Sequence, residues 1–366
     1  MIQKKKVAIV TLTHVQNYGN RLQNYALQQV LTSLGADVET IFNDIPSRKK
    51  RIVRCVKRRF KKVTGLNYSC MDERVDRFDE FNRKFINASK FRADNCSVSK
   101  MINDHYDCFF AGSDQIWNCN YHFSPYFFLQ FADKPKRYTY AASFGISDIK
   151  SDKIEQYAEW MRQLVCVSVR EKNAVELVQR VAGVGARWDL DPTLLLEAEK
   201  WREIQCIPCG MYECEEEFVV VYFLGGIPDE VQKKIEGEMR IGVRIVYLEG
   251  DTMAYSSIID QKTYAFNPSE FIWLIDNCKY ILTDSYHGTI FSIIFRKKFV
   301  AFSRMEDIKG NNMDSRIEGL LYMLDLEGRF NSLNIDDEIP IDYDHIKEIL
   351  DKKKIDSISY LAKCIS

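Results

Sequence analysis

The sequence predicts an α/β protein of two Rossmann-like, doubly wound domains facing a cleft. Three observations lead there. Short apolar runs alternate with amphipathic segments of helical period, and two of the runs, "DCFFAGSD" and "KYILTDSYHG", end in a small or acidic polar turn. The alternation pauses once, near "RWDLDPTLLLEAEKW", and then begins again. A chain of 366 residues, 46% of them apolar and 13% aromatic, is long enough to bury two cores.

The first strand is "VAIVTL" (7–12). "QNYGNRLQNYALQQVLTSLG" then predicts a helix with Leu22, Ala26, Leu27, Val30, Leu31 and Leu34 on its apolar face and Gly35 as its stop. "DVETIF" follows as a strand and completes a βαβ unit, which implies a parallel sheet covered by helices. The series continues with the strands of "YDCFFAGSDQIWN" and "RYTYAASFG", the helix "KIEQYAEWMRQL", the strand "VCVSVRE" and the helix "KNAVELVQRV". After the pause, "EFVVVYFLGG", "VRIVYLEG", "KYILTDSYHG" and "KKFVAF" supply strands. "NPSEFIWLIDNC" supplies a helix with Asn267 as N-cap and Pro268 in its first position. The expected domains are 1–200 and 201–342, with a C-terminal helix, 343–366, packing back on the first.

Composition narrows the function. A net charge of −1 provides no overall field for binding nucleic acid. Eleven cysteines without framework spacing fit a reducing cytoplasm. The pair Cys206 and Cys209 has no second pair or histidines at zinc spacing, so no metal is expected. No run reaches signal-peptide or transmembrane length, which predicts a soluble, unprocessed, cytoplasmic protein. The acidic stretch "YECEEEF" reads as a solvated connection.

The even charge balance fails in "RKKRIVRCVKRRFKKV" (48–63), which carries no acid and repeats Ile52, Val56, Phe60 and Val63 at helical spacing. A basic amphipathic helix is predicted. Its apolar stripe is expected to dock on the protein's own core. Peripheral contact with an anionic membrane is the alternative, and a nucleic-acid role ranks third because no aromatic platform accompanies the charge.

Ligands of open α/β sheets bind at the carboxyl ends of the strands, so the turns there hold the candidate residues. Asn17, Tyr18 and Gly19 lead into a helix N-terminus suited to an anion, with Arg21 as a nearby cation. Neither a G-x-G-x-x-G fingerprint nor a Walker lysine pattern occurs there, so a dinucleotide or P-loop site is not expected. In "GSDQIWN", Ser113, Asp114 and Gln115 offer polar groups and Trp117 a flat apolar face. That mixture suits a sugar, and a capping turn over a buried Trp117 is equally compatible. Arg170 of "SVRE" presents a planar fork for a ligand carboxylate or phosphate, or for an internal salt bridge with Glu171 or Asp191. His287 of "SYHG" stands where strand turns into helix. It can exchange a proton near neutral pH beside Ser285 and amides able to hold an anion, or it can be structural.

Taken in order, "NYGNRLQNYALQ", "AGSDQIWN", "YAASFG", "SVRE", "DPTLLL" and "TDSYHGTIFSIIF" resemble the polysaccharide pyruvyl transferase family over roughly residues 7–320. The resemblance implies a fold like the GT-B glycosyltransferases, phosphoenolpyruvate as donor and a pair of sugar hydroxyls as acceptor. The implied product is a pyruvate ketal on a bacterial surface polysaccharide, such as a capsule or exopolysaccharide, or on its lipid-linked precursor. No redox cofactor is implied. His287 matches the family histidine proposed to protonate the donor, and Arg170 the "SVRE" arginine expected to hold it. Ser285 stands where some branches carry an arginine, and Arg316 in "DSRIEGLL" is the preferred substitute, ahead of Arg21. The donor is thus expected on Arg170, Ser285, His287, Gly288 and Arg316, with the "GSDQIWN" loop facing the acceptor. A location in the cytoplasm, against the inner face of the membrane, would suit a lipid-carried acceptor. A nucleotide-sugar glycosyltransferase and a noncatalytic glycan-binding member of the fold are the rival readings.

Overall fold

The computed structural model describes residues 4–13, 16–42, 48–65, 67–92, 100–209, 211, 217–249, 266–305, 314–333 and 340–366. The acidic stretch 212–216 and the side chain of Ile52 lie outside the described residues. The chain forms two compact units. One comprises Met1–Phe144, Asp148–Pro192 and Ser357–Ser366, the other Gly145–Ser147 and Thr193–Asp356.

The first unit contains β1 (Lys6–Val10), α1 (Tyr18–Ser33), β2 (Asp37–Phe42), α2 (Arg48–Thr64), α3 (Cys70–Phe85), β3 (Ala88–Arg92), α4 (Lys100–His105) and β4 (Cys108–Ala111). It continues through β5 (Arg137–Thr139), α5 (Ile154–Met161), β6 (Val167–Val169), α6 (Lys172–Ala182) and β7 (Ala186–Trp188). Five parallel strands run in the order β3-β2-β1-β4-β5. Parallel bridges from Tyr138 to Cys166 and from Ala142 to Val169 carry that order on to the β6-β7 pair. The order reverses between β1 and β4, so the carboxyl ends of these two strands form the switch point where such sheets accept ligands.

The second unit contains α7 (Ala198–Arg202), β8 (Phe218–Phe223), α8 (Asp229–Arg240), β9 (Arg244–Glu249), α9 (Pro268–Asn277), β10 (Tyr280–Thr283), α10 (Tyr286–Ile294), β11 (Lys298–Ala301) and α11 (Ser315–Met323). Its parallel sheet runs β11-β10-β8-β9, with the switch between β8 and β10. Every residue of β8 is buried, as a central parallel strand covered on both faces requires. Val219, Val221 and Phe223 pack with Val231 and Ile235 of α8. The alternate residues meet α9, where Tyr222 lies edge-on to Phe271 at 5.5 Å and Phe218 stacks with Trp273 at 6.1 Å.

Three expectations need correction. The boundary falls between Pro192 and Thr193 rather than after residue 200. The last helix, α12 (Tyr343–Ile365), is divided, with only 357–366 counting with the first unit. There Ser357 Oγ donates to Asp189 Oδ1 at 3.0 Å and Tyr360 Oη to the Thr139 carbonyl at 2.9 Å. Finally, the apolar stripe of α2 does not dock on the core, because Val56, Phe60 and Val63 are 61%, 63% and 80% exposed. Among its described side chains, charge ties α2 to the rest of the unit. Arg58 pairs with Asp76 at 2.5 Å and Asp79 at 2.7 Å, and Lys61 with Asp72 at 3.0 Å, all on α3. No described helix is long and apolar enough to cross a membrane.

Candidate functional site

In the second unit, β10 ends at Thr283 and α10 starts three residues later, so Asp284 and Ser285 make the whole turn. Ser285 is the N-cap, and its hydroxyl accepts from Gly288 N at 3.3 Å. Thr283 anchors the turn from below. Its Oγ1 donates to the Tyr222 carbonyl at 2.6 Å and accepts from Ser285 N at 3.0 Å. A Cβ on Gly288 would stand 2.5 Å from that same oxygen, so the turn needs glycine there. The result fixes His287 in the first helical turn, buried to 7% exposure, with Tyr286 edge-on at 5.5 Å.

Two arginines flank this helix N-terminus. Arg316, on α11, sets its guanidinium carbon 5.8 Å from the centre of the Tyr286 ring and is buried. Arg304, three residues beyond β11, donates through Nε to Asp284 Oδ2 at 3.3 Å and lies near the Asp284 carbonyl at 3.4 Å. Asp284 also receives Leu224 N at 2.6 Å and Gly225 N at 2.8 Å, tying the end of β8 to the end of β10. Burial keeps its carboxyl above the ordinary carboxylate range despite Arg304 and those two amides. Gly225 is the second position where only glycine fits, because a Cβ would come 2.6 Å from the Met305 carbonyl. A helix N-terminus and a histidine thus stand at the switch point of the sheet, with Arg304 on Asp284 and Arg316 beside Tyr286, residue types suited to an anion and a proton transfer.

The first unit gathers the other predicted residues around the ends of β1 and β4. Asn17 caps α1 by accepting from Asn20 N at 3.2 Å, and Asn20 Nδ2 reaches across to Asp114 Oδ2 at 3.1 Å. Asp114 is held at a φ of 73°, a left-handed conformation that aspartate tolerates better than most residues. Its Oδ1 accepts from Gln115 N at 2.8 Å, and its carbonyl accepts from Ser143 N at 3.1 Å. Asn17, Asp114 and Gln115 are half-buried and keep polar surface.

Several of the predicted site residues are bonded within the frame of the first unit. The Arg170 side chain has 0% exposure and its NH1 donates to the equally buried Asp191 at 2.8 Å. It also reaches Ser113 Oγ at 3.3 Å, while its NH2 lies 3.9 Å from Asp114. The internal salt bridge with Asp191 is thus present, and Arg170 also reaches the 113–114 turn. Trp117 is buried and stacked on Phe128 at 4.9 Å, with Nε1 donating to the Phe127 carbonyl, so it offers no face to a sugar. Tyr18 lies under the Arg74 guanidinium at 4.7 Å, and Gly19 is buried beside it in α1. Arg21 donates to the Thr13 carbonyl at 2.6 Å and to the Asn20 side chain. Buried Ser113 is bonded to Asp191 at 3.2 Å.

Sequence reasoning passed over Arg304 and Asp284. The rule that singled out Arg170, an arginine just past an apolar strand, applies equally to Arg304 after "KKFVAF". Among the described residues no cluster of three or more histidines, cysteines or carboxylates could hold a metal ion.

A family model described as polysaccharide pyruvyl transferase matches residues 17–305, well over half of the chain. No curated protein matches the sequence. Among solved structures, the chain is similar to the UDP-GlcNAc 2-epimerase from Neisseria meningitidis bound to UDP-GlcNAc, at 11% identity and a TM-score of 0.46 over 96% of this chain and 100% of that one. It is similar to the UDP-N-acetylglucosamine 2-epimerase from Rickettsia bellii at 8% identity and a TM-score of 0.47, covering 98% and 97%. E. coli ADP-heptose lps heptosyltransferase II is similar at 12% identity and a TM-score of 0.40, covering 95% and 99%.

Proposed function

Because the chain belongs to the polysaccharide pyruvyl transferase family, we propose that it moves the enolpyruvyl group of phosphoenolpyruvate onto two hydroxyls of one sugar. The observation that carries this reading is His287 in the first turn of α10, with Arg304 bonded to Asp284 in the preceding turn and Arg316 beside Tyr286. Phosphoenolpyruvate bears a carboxylate and a phosphate, and one helix N-terminus with two guanidinium groups matches both. His287 gives a proton to the methylene carbon, which makes the enol carbon electrophilic. One sugar hydroxyl adds to that carbon, the bond to the phosphate oxygen breaks, and the second hydroxyl closes the ketal. Of the two hydroxyl protons, one ends in the new methyl group by way of His287 and the other leaves with phosphate.

Arg304 replaces the phosphate contact that Ser285 cannot supply, and Ser285 and Gly288 contribute through the cap and its amide. In the first unit, half-buried Asn17, Asp114 and Gln115 keep polar groups of the kind that bind a sugar. Arg170 acts by holding Asp191 and the turn that presents Asp114. The acceptor is a sugar of a bacterial surface polysaccharide or its lipid-linked precursor, met on the cytoplasmic side of the membrane.

Thermal shift tests the donor. Phosphoenolpyruvate at a hundred- to a thousandfold excess over its Kd should stabilise the wild type by about 3 to 4 kcal/mol. Arg304→Gln should lose most of that shift, whereas His287→Asn should keep it. Stabilisation by nucleotide sugars and none by phosphoenolpyruvate would replace ketal transfer with glycosyl transfer.

A further inference from the structure

Helix α2 carries ten lysines and arginines and no acid between Arg48 and Thr64. Val53, Val56, Phe60 and Val63 are spaced three, four and three residues apart, which puts them in one stripe, and all four are exposed. At 3.6 residues per turn, Arg58 lies about 180° from the middle of that stripe. It is Arg58, with Lys61, that is tied to Asp72, Asp76 and Asp79 of α3. The ion pairs therefore fasten the helix by its back and turn the apolar stripe outward. Lys57 and Arg59 fall about 80° to either side of the stripe, and both are exposed, as is Lys62.

An exposed apolar ridge flanked by cations has two requirements of a partner: an apolar layer a few ångströms deep and a negative surface above it. We propose that α2 is an interfacial anchor that seats this chain on an anionic lipid bilayer. Val53, Val56, Phe60 and Val63 enter the acyl boundary, and Lys57 and Arg59 extend their stems along it to the phosphate groups. Nucleic acid would satisfy the charge and leave the stripe in water, and a second copy of the helix would cover the stripe and oppose like charges. The proposal is independent of the reaction assigned above, because binding to lipid requires neither donor nor acceptor.

Vesicle flotation of the full chain tests it. Wild type should float with phosphatidylcholine vesicles containing phosphatidylglycerol and remain behind with phosphatidylcholine alone. Val56→Ser/Phe60→Ser should reduce the bound fraction about tenfold, as should Lys57→Gln/Arg59→Gln. These side chains are exposed, so the variants keep the fold. The idea is overturned if wild type does not float, or if the serine variant floats as well as wild type. It is also overturned if a DNA duplex binds equally to both proteins, or if the serine change dissolves a dimer.

Discussion

His287 and Arg170 matched the same family pattern and the structure separates them. His287 sits at a helix N-terminus beside groups able to hold an anion, so its removal should act on rate. His287→Asn is expected to lower turnover by about 10²- to 10⁴-fold with the thermal midpoint nearly unchanged; a loss of stability with retained turnover would make the residue structural. Arg170 is buried against Asp191, so its removal should act first on stability. Arg170→Met leaves an uncompensated buried carboxylate and should cost about 3 to 5 kcal/mol. Arg170→Met/Asp191→Leu should recover much of that loss, because the penalty lies in the orphaned charge rather than in the missing pair. A double-mutant cycle on urea-unfolding midpoints reads the difference, and additive losses would contradict it.

Local chemistry was legible at the scale of single elements wherever it was stated in adjacent residues. Asn267 was expected to cap α9, and its side chain accepts from Ser269 N at 2.8 Å and Glu270 N at 3.0 Å while Glu270 reaches back to Asn267 N. Asn267→Ala should therefore cost about 1 kcal/mol without changing the reaction rate. A change below a few tenths in the unfolding free energy would show that packing of Phe271 and Leu274 alone sets the helix start. The central parallel strands announced themselves as continuous apolar runs bounded by polar turns. Helix α3 did not, because "CMDERVDRFDEFNRKF" is dominated by charge, and its clearest signal was the Ser69 and Asp72 capping box. The direction of α2 was hidden for a related reason. Periodicity located the stripe, but which face turns inward was decided by three aspartates on another helix. Trp117 and Arg170 illustrate the same limit, since an aromatic or an arginine in a strand-end loop reads alike whether it meets a ligand or a neighbouring loop.

At the scale of the whole molecule, two series of alternating elements predicted two parallel sheets, and the pause between them lay within a few residues of the observed division. The last helix is where sequence order and structural membership part. Its final turns belong with the first unit, far back along the chain, and they fill a specific gap there. Leu361 is fully buried, Tyr360 lies under the Arg187 guanidinium at 4.3 Å, and Ser357 completes the set of donors on Asp189. Arg187 at 2.6 Å and Ser168 at 2.6 Å already bond that carboxylate, so losing Ser357 matters less than losing the apolar cover. Each large side chain removed should cost about 1.5 to 3 kcal/mol of burial. A chain ended at Asp356 is therefore expected to lose several kcal/mol from the first unit while the second, with His287, Arg304 and Arg316, keeps its own stability. Calorimetry should show one transition moved to lower temperature and one in place, with the phosphoenolpyruvate-dependent shift retained by the unmoved transition. A single transition that falls as a whole would mean that the two units unfold as one cooperative body despite their separate cores.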